Sequence, residues 1–341
     1  MRRNLLRAVL IIVFIIFILP LLIPLPPVGV DAATLADPDG FFIEVNGLST
    51  YVLARGPEDG IPVVMLHGWG ASTFSWRNQI DVLATAGYRA IAFDRPPYGL
   101  SAKTGANIPM TPSALADFTA ATLDALGIEQ AVIVGQSQGG GVAGYFTVRY
   151  PDRVRSLVWV AAALRPSDDP VPTGTGGTGS RVEGALGLPP FVNGLLQVPS
   201  FSRWAQLGIR TFVTPDFSIN ILRSAYYDPA LISPEIIEGS TRQLRVTGWD
   251  EALLNQLRGG SFTPEPLLAD EIAAIPVPVL IIWGAEDTWV PLSVGERLHD
   301  LLPESSLLAY PNVGHLPHEE NPARFNADLL VFLEEATIEV D

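Results

Sequence analysis

Ser137 sits in Gly135-Gln136-Ser137-Gln138-Gly139, with a glycine two positions away on either side. A serine hydroxyl is a weak nucleophile until a base takes its proton and a third group orients that base. The base must come from four histidines. His67 lies in His67-Gly68-Trp69-Gly70 and reads as a structural histidine anchoring a loop. His299 falls among Glu296, Arg297 and Asp300, on what reads as a solvated helix face. His315 lies in Pro311-Asn312-Val313-Gly314-His315-Leu316-Pro317, on a loop after an apolar strand-like run. The glycine before it permits a tight turn and close packing, which makes it the preferred base. His318 is the rival, and otherwise a supporting or surface residue.

The preferred acid is Asp287, in Trp283-Gly284-Ala285-Glu286-Asp287-Thr288-Trp289-Val290-Pro291. Glu286 is an alternative, as are Asp168 and Asp169, which follow another strand-like run. An attacked carbonyl also needs donors for its developing oxyanion. The glycine-containing turn at His67-Gly68-Trp69-Gly70 can aim backbone N–H groups there, and the expected pair is the N–H of Trp69 with that of Gln138. Each such donor is worth about 3 kcal/mol in the transition state. Chemistry of this kind calls for no metal and no cofactor.

These residues need elements to position them. Phe41–Val45, Ser49–Ala54 and Pro62–Leu66 are short apolar or alternating runs separated by turn residues, and they read as a meander. Beyond them, strand-like runs at Ala90–Phe93, Ala131–Val134, Val154–Val160, Val277–Trp283 and Leu307–Ala309 alternate with helix-length segments. Helices are expected over 72–86, 111–126, 138–150, 291–302 and 322–335. That alternation implies right-handed crossovers around a mostly parallel central sheet flanked by helices, an α/β fold. Ser137 then falls at a sharp strand-to-helix turn, the context in which a G-x-S-x-G pattern carries meaning. Between Leu164 and about Pro266 the alternation stops. A Gly/Thr-rich stretch at 172–180 gives way to aromatic and apolar segments, too long for an unstructured loop and read as an inserted helical unit.

After Arg2, Arg3 and Arg7, every residue from Ala8 to Leu19 is apolar and the run continues to Leu25. That length approaches the hydrocarbon thickness of a bilayer, and basic residues ahead of it favour keeping the amino terminus in the cytoplasm. Residues 1–25 therefore read as a transmembrane anchor or, alternatively, as a signal peptide cleaved to release a secreted protein. Both place the remainder outside the cytoplasm. Residues 26–39 read as a linker, 40–164 and 266–338 as the α/β core, and 165–265 as the helical insertion. A net charge of −15 disfavours nucleic acid, and the absence of cysteine removes disulfides, thiolate metal sites and a cysteine nucleophile.

Taken together, these motifs resemble the α/β-hydrolase superfamily over roughly residues 40–165 and 266–336. Asp94-Arg95-Pro96-Pro97-Tyr98-Gly99-Leu100-Ser101 is similar to that family's D-R-P-G-x-G-x-S turn, with Pro97 where glycine is usual. Gly314-His315-Leu316-Pro317-His318-Glu319-Glu320-Asn321-Pro322 resembles its G-H-x-x-H-x-E-x-P segment. The chain order Ser137, Asp287, His315 is the family's nucleophile-acid-base order. The resemblance implies that the insertion is a helical cap over the active site whose residues choose the substrate. Epoxide hydrolases and haloalkane dehalogenases of the superfamily carry aspartate where Ser137 stands, and proline iminopeptidases typically carry Trp where Gln138 stands. The expectation is a serine hydrolase for carboxylic esters, acting on a small and hydrophobic substrate. Carbon-carbon bond hydrolase, acyltransferase and a catalytically silent binding module are the alternatives, and the oligomeric state is left open.

Overall fold

Pro62–Leu66, Ala131–Gln136 and Val279–Gly284 are near-continuous apolar runs, the pattern of strands buried on both faces. In the computed structural model, which describes residues 2–103, 109–164, 166, 190–259 and 265–338, they occupy the interior of one eight-stranded sheet. The strands are β1 (Gly40–Val45), β2 (Leu48–Arg55), β3 (Pro62–Leu66), β4 (Arg89–Phe93), β5 (Ala131–Gln136), β6 (Val154–Val160), β7 (Val279–Gly284) and β8 (Ser306–Tyr310). Their spatial order is β1-β2-β4-β3-β5-β6-β7-β8. β1 and β2 pair antiparallel, β2 meets β4 antiparallel, and all other pairs are parallel.

The expected meander of the first three strands is therefore incorrect. β2 and β3 follow one another in the chain, yet β4 lies between them. The reason is burial: Val63, Val64, Met65 and Leu66 are all fully buried, so β3 belongs inside the parallel part of the sheet and not at its antiparallel margin.

Each face of the sheet is covered. Ile133, Trp159, Ile281 and Trp283 point to one side, against the helices Pro112–Ala125 and Gln138–Arg149. Val134, Val158 and Ile282 point to the other, against Trp76, Ile80 and Phe325. The helix Pro322–Ile338 and the short helix Arg77–Thr85, entered through a 3-10 turn at Thr73–Trp76, complete that layer.

Between β6 and β7 in the chain lie the helices Pro190–Leu196, Pro199–Phe212, Pro215–Ala225, Pro234–Thr241 and Trp249–Gly259. Several open on proline with a polar cap before it: Thr214 Oγ1 accepts from Phe217 N and Ser233 Oγ from Ile236 N. The Gly/Thr-rich stretch and the Asp168–Asp169 pair lie outside the described residues. At the amino terminus, Arg2–Leu22 forms one 21-residue apolar helix, long enough to cross a membrane and equally compatible with a signal sequence.

Candidate active site

The parallel strands deliver their following loops to one edge of the sheet, and the residues nominated from sequence sit on those loops. β5 turns into the helix Gln138–Arg149 at Ser137, whose backbone is held at φ 51° and ψ −119°. A non-glycine residue in that region costs of order 1–3 kcal/mol and persists only where its surroundings enforce it. Here Ser137 N donates to Val160 O at 3.0 Å, and Ser137 O accepts from Gly140, Gly141 and Ala163 N–H groups. The flanking glycines are required by contact. A Cβ on Gly135 would lie 2.3 Å from Gly139 O, and one on Gly139 would lie 2.2 Å from Leu66 O.

His315 follows β8 and Asp287 follows β7. His315 Nδ1 donates to Asp287 Oδ2 at 2.7 Å, both side chains being almost fully buried. The other carboxylate oxygen, Oδ1, accepts from Trp289 N at 2.7 Å and Val290 N at 2.9 Å. Asp287 is thus fixed as an acceptor that sets the histidine tautomer, leaving Nε2 as the nitrogen that can receive a proton. That Nε2 is buried without a hydrogen-bond partner among the described residues. Gln136, next to Ser137, sends Nε2 to His315 O at 3.2 Å, which ties the serine's strand to the histidine's loop. Ser137 and His315 line one pocket of about 290 Å³.

The other candidates go elsewhere. Glu286 is exposed and its carboxylate accepts from Val313 N at 3.1 Å, so it pins the β8 loop rather than the imidazole. His318 is fully buried, with Nε2 at 2.9 Å from Ser75 Oγ and its ring 4.6 Å from that of Trp76; burial pushes its pKa down to about 4. His67 donates from Nδ1 to Gly68 O and accepts at Nε2 from Arg95 N, and burial plus the Arg95 charge hold it neutral. His299 is half-buried rather than solvated, its Nδ1 lying 2.8 Å from Ser305 Oγ near the end of the helix Leu292–Leu301.

Trp69 lies in the loop after β3 and lines the pocket, while Gln138 opens the helix after Ser137, where first-turn N–H groups have no intrahelical acceptor.

Sequence reasoning missed the residues that brace this arrangement. Trp289 stacks on His315, and its Nε1 donates to Ser224 O at 3.1 Å. His315 N donates to Ala225 O at 2.7 Å. Glu320 Oε1 accepts from Gly314 N and Leu316 N on either side of the histidine, and its Oε2 accepts from Tyr227 N. Gly314 permits this closeness: a Cβ there would lie 2.5 Å from Ala225 O. Below it, Arg77 pairs with Glu319 at 2.7 Å, and Ser75 and Tyr226 hydroxyls also donate to that carboxylate. Burial pushes Glu319 up, but Arg77, His318 and Ser75 outweigh it and hold the carboxyl below its usual range. The one visible signal was Glu320, which occupies the acidic position of the motif around His315.

The pocket walls are mostly apolar, with Ile209, Val213, Phe217, Ile221 and Leu222 supplied by the helical unit. Among the described residues the charged side chains that line it are Lys103 and Glu319. Lys103 Nζ is spent on the carbonyls of Pro97 and Gly99, at 2.8 and 2.5 Å. Burial pushes its pKa down to about 7, against the opposing pull of Asp94.

A model of the alpha/beta hydrolase fold matches residues 61–322. A 2-hydroxy-6-oxononadienedioate/2-hydroxy-6-oxononatrienedioate hydrolase of Paraburkholderia phymatum is 31% identical over 279 residues, covering 80% of this chain and 86% of the relative. Among solved structures, a meta-cleavage product hydrolase from Pseudomonas fluorescens is 26% identical with a TM-score of 0.69, over 87% of this chain and 98% of that one. A bacterial membrane phospholipase A shares the fold at 22% identity and a TM-score of 0.65, over 99% of both chains.

Proposed function

Because this chain belongs to the alpha/beta hydrolase fold family, whose members similar to it are serine hydrolases, we propose that it cleaves carboxylic esters with a hydrophobic acyl part, using Ser137, Asp287 and His315. The observation that carries this reading is the bond from His315 to Asp287 beside a pocket shared with the strained Ser137. His315 Nε2 takes the Ser137 proton as Oγ attacks the ester carbonyl carbon. The oxyanion meets the N–H groups of Trp69 and Gln138. On collapse, His315 returns the proton to the departing alcohol, leaving an acyl group on Ser137. Water then attacks with His315 again as base, and the acid leaves with Ser137 restored.

The helices of residues 190–259 are assigned to the cap, and those of their apolar side chains that line the pocket, Ile209, Val213, Phe217, Ile221 and Leu222, give the site its preference. The amino-terminal helix is assigned as an uncleaved membrane anchor, with the catalytic domain on the extracytoplasmic side. The fold likeness that extends over 99% of this chain, amino-terminal helix included, supports that assignment.

A second reading, hydrolysis of a carbon-carbon bond, is favoured by the printed activity of the Paraburkholderia relative. That substrate is a dicarboxylate and asks for cations in the pocket. Lys103, engaged with two carbonyls, is the cation among the described lining residues, which favours the ester. Steady-state rates on p-nitrophenyl esters of increasing chain length and on 2-hydroxy-6-oxononadienedioate separate the two. The ester reading expects kcat/KM on a C4–C8 acyl ester at least 100-fold above that on the dienedioate, and the reverse order would replace it.

A further inference from the structure

The cap helix Pro199–Phe212 lies against the amino-terminal apolar helix. Ser200 Oγ donates to Phe17 O at 2.7 Å, and the rings of Phe201 and Phe17 meet edge to face with centroids 5.7 Å apart. Further along, Arg203 donates to Ile23 O and Arg210 to Pro26 O, both at 2.8 Å. The register therefore runs one way, with the start of the cap helix deepest along the apolar helix. That helix ends at Leu22. Phe17 lies about five residues inside it, or roughly 7 Å along the axis at about 1.5 Å per residue. A 21-residue helix matches the hydrocarbon core, about 30 Å thick. Once it crosses a bilayer, Phe17 is below the hydrocarbon boundary and takes the start of the cap helix down with it.

The chain leading into that contact has the composition such a location demands. Phe191 is 69% exposed, and Leu195, four residues on and on the same helical face, is exposed as well. Val198 and Trp204 are also exposed. From Pro190 to Ser202 there is no charged residue, in a chain of net charge −15. The same helix then turns Ile209 inward, where it packs with Leu196 and Leu254 and lines the catalytic pocket.

We propose that the Phe191–Trp204 edge of the cap is inserted into the extracytoplasmic leaflet, at the depth of roughly 5–10 Å reached by interfacial helices, and that the ester substrate is a long-chain acyl lipid drawn from that leaflet. The inference rests on the anchor and ester readings above. It adds where the substrate comes from and which residues touch its reservoir. Insertion is driven by apolar burial, since the acidic domain gains nothing from anionic headgroups.

The chain has no cysteine, so single cysteines report cleanly on position. The full-length protein is reconstituted in phosphatidylcholine vesicles with a nitrobenzoxadiazole probe at Phe191→Cys, at Leu10→Cys in the apolar helix, or at Asp59→Cys on an exposed loop. Nitroxide-bearing lipids are expected to quench the probes at positions 10 and 191 at least threefold more than the probe at 59. Quenching at 10 with none above the level of 59 at 191 overturns the inference while leaving the anchor standing; no quenching at 10 removes the anchor and the inference with it. In parallel, Phe191→Asp with Leu195→Asp is expected to lower turnover of a long-chain ester held in vesicles at least tenfold, and to leave p-nitrophenyl butyrate within twofold. Equal effects on the two substrates contradict the inference. Failure of the wild type on both sinks the ester reading instead, and the quenching data then decide the location of the edge.

Discussion

The Trp289 indole stacks on the His315 imidazole, with ring centroids 5.2 Å apart and planes inclined by 27°. The same indole donates to the carbonyl and the hydroxyl of Ser224 at the end of the helix Pro215–Ala225. The orientation of His315 is thereby connected to the helix Pro215–Ala225. Aromatic pairing of this kind is worth about 0.5–1.5 kcal/mol, a factor of roughly 2–13 in rate if it acts only through the histidine. Trp289→Ala is expected to lower kcat within that range, and Trp289→Phe, which keeps a ring over His315, to restore most of it. A Phe variant as impaired as the Ala variant shifts the effect to the lost bond with Ser224.

Asp287→Asn should be far more damaging. The Asn side-chain oxygen can still accept from Trp289 N and Val290 N, so the loop keeps its anchor. Its amide nitrogen would face His315 Nδ1 and favour the wrong tautomer. The drop in kcat expected for that change is about 10⁴-fold, with a melting temperature within a few degrees of wild type. Turnover close to normal would assign the acid to another carboxylate.

Part of the acid sensitivity should trace to His318, with the buried His67 contributing in the same direction. Its pKa is about 4 in the folded chain against 6.5 for a free histidine. Below 6.5 the unfolded chain therefore binds a proton that the folded chain refuses. The stability this represents is fully present above pH 6.5 and is lost as pH falls toward 4, by about 3 kcal/mol at one pKa unit per 1.36 kcal/mol. Denaturant unfolding of His318→Gln at pH 7 and pH 4.5 should show a clearly smaller difference between the two than wild type shows. An unchanged difference would move the sensitivity to His67 or the carboxylates.

Glu320→Gln tests the clasp around the base. The carboxylate accepts from Gly314, Leu316 and Tyr227 N–H groups, and an amide retains only one accepting oxygen. Each lost bond to a charged acceptor is worth about 1.5–3 kcal/mol, part of which appears as looser placement of His315. The expected result is a kcat reduced about tenfold with KM within twofold. A change confined to KM would place Glu320 in substrate binding instead.

Much of the fold is legible in the sequence because the parallel strands are short unbroken apolar runs and the helices between them open on proline or a polar cap. The nominated residues are legible for a related reason: Ser137, Asp287 and His315 each follow such a run, so a parallel sheet must bring their loops to one edge. The order of β2, β4 and β3 is not, since it depends on which strand is buried on both faces and not on adjacency in the chain. Nor are the braces. Gln136 reaches His315 across 179 positions, and Ser75 reaches Glu319 across 244. No local pattern distinguishes those side chains from other polar residues.

A fluorophosphonate probe tests most directly whether Ser137 Oγ is the attacking atom. Wild-type protein treated with the probe and digested should carry one adduct, on the peptide containing Ser137, and Ser137→Ala should carry none. An adduct on any other residue, or labelling that survives Ser137→Ala, would contradict the account.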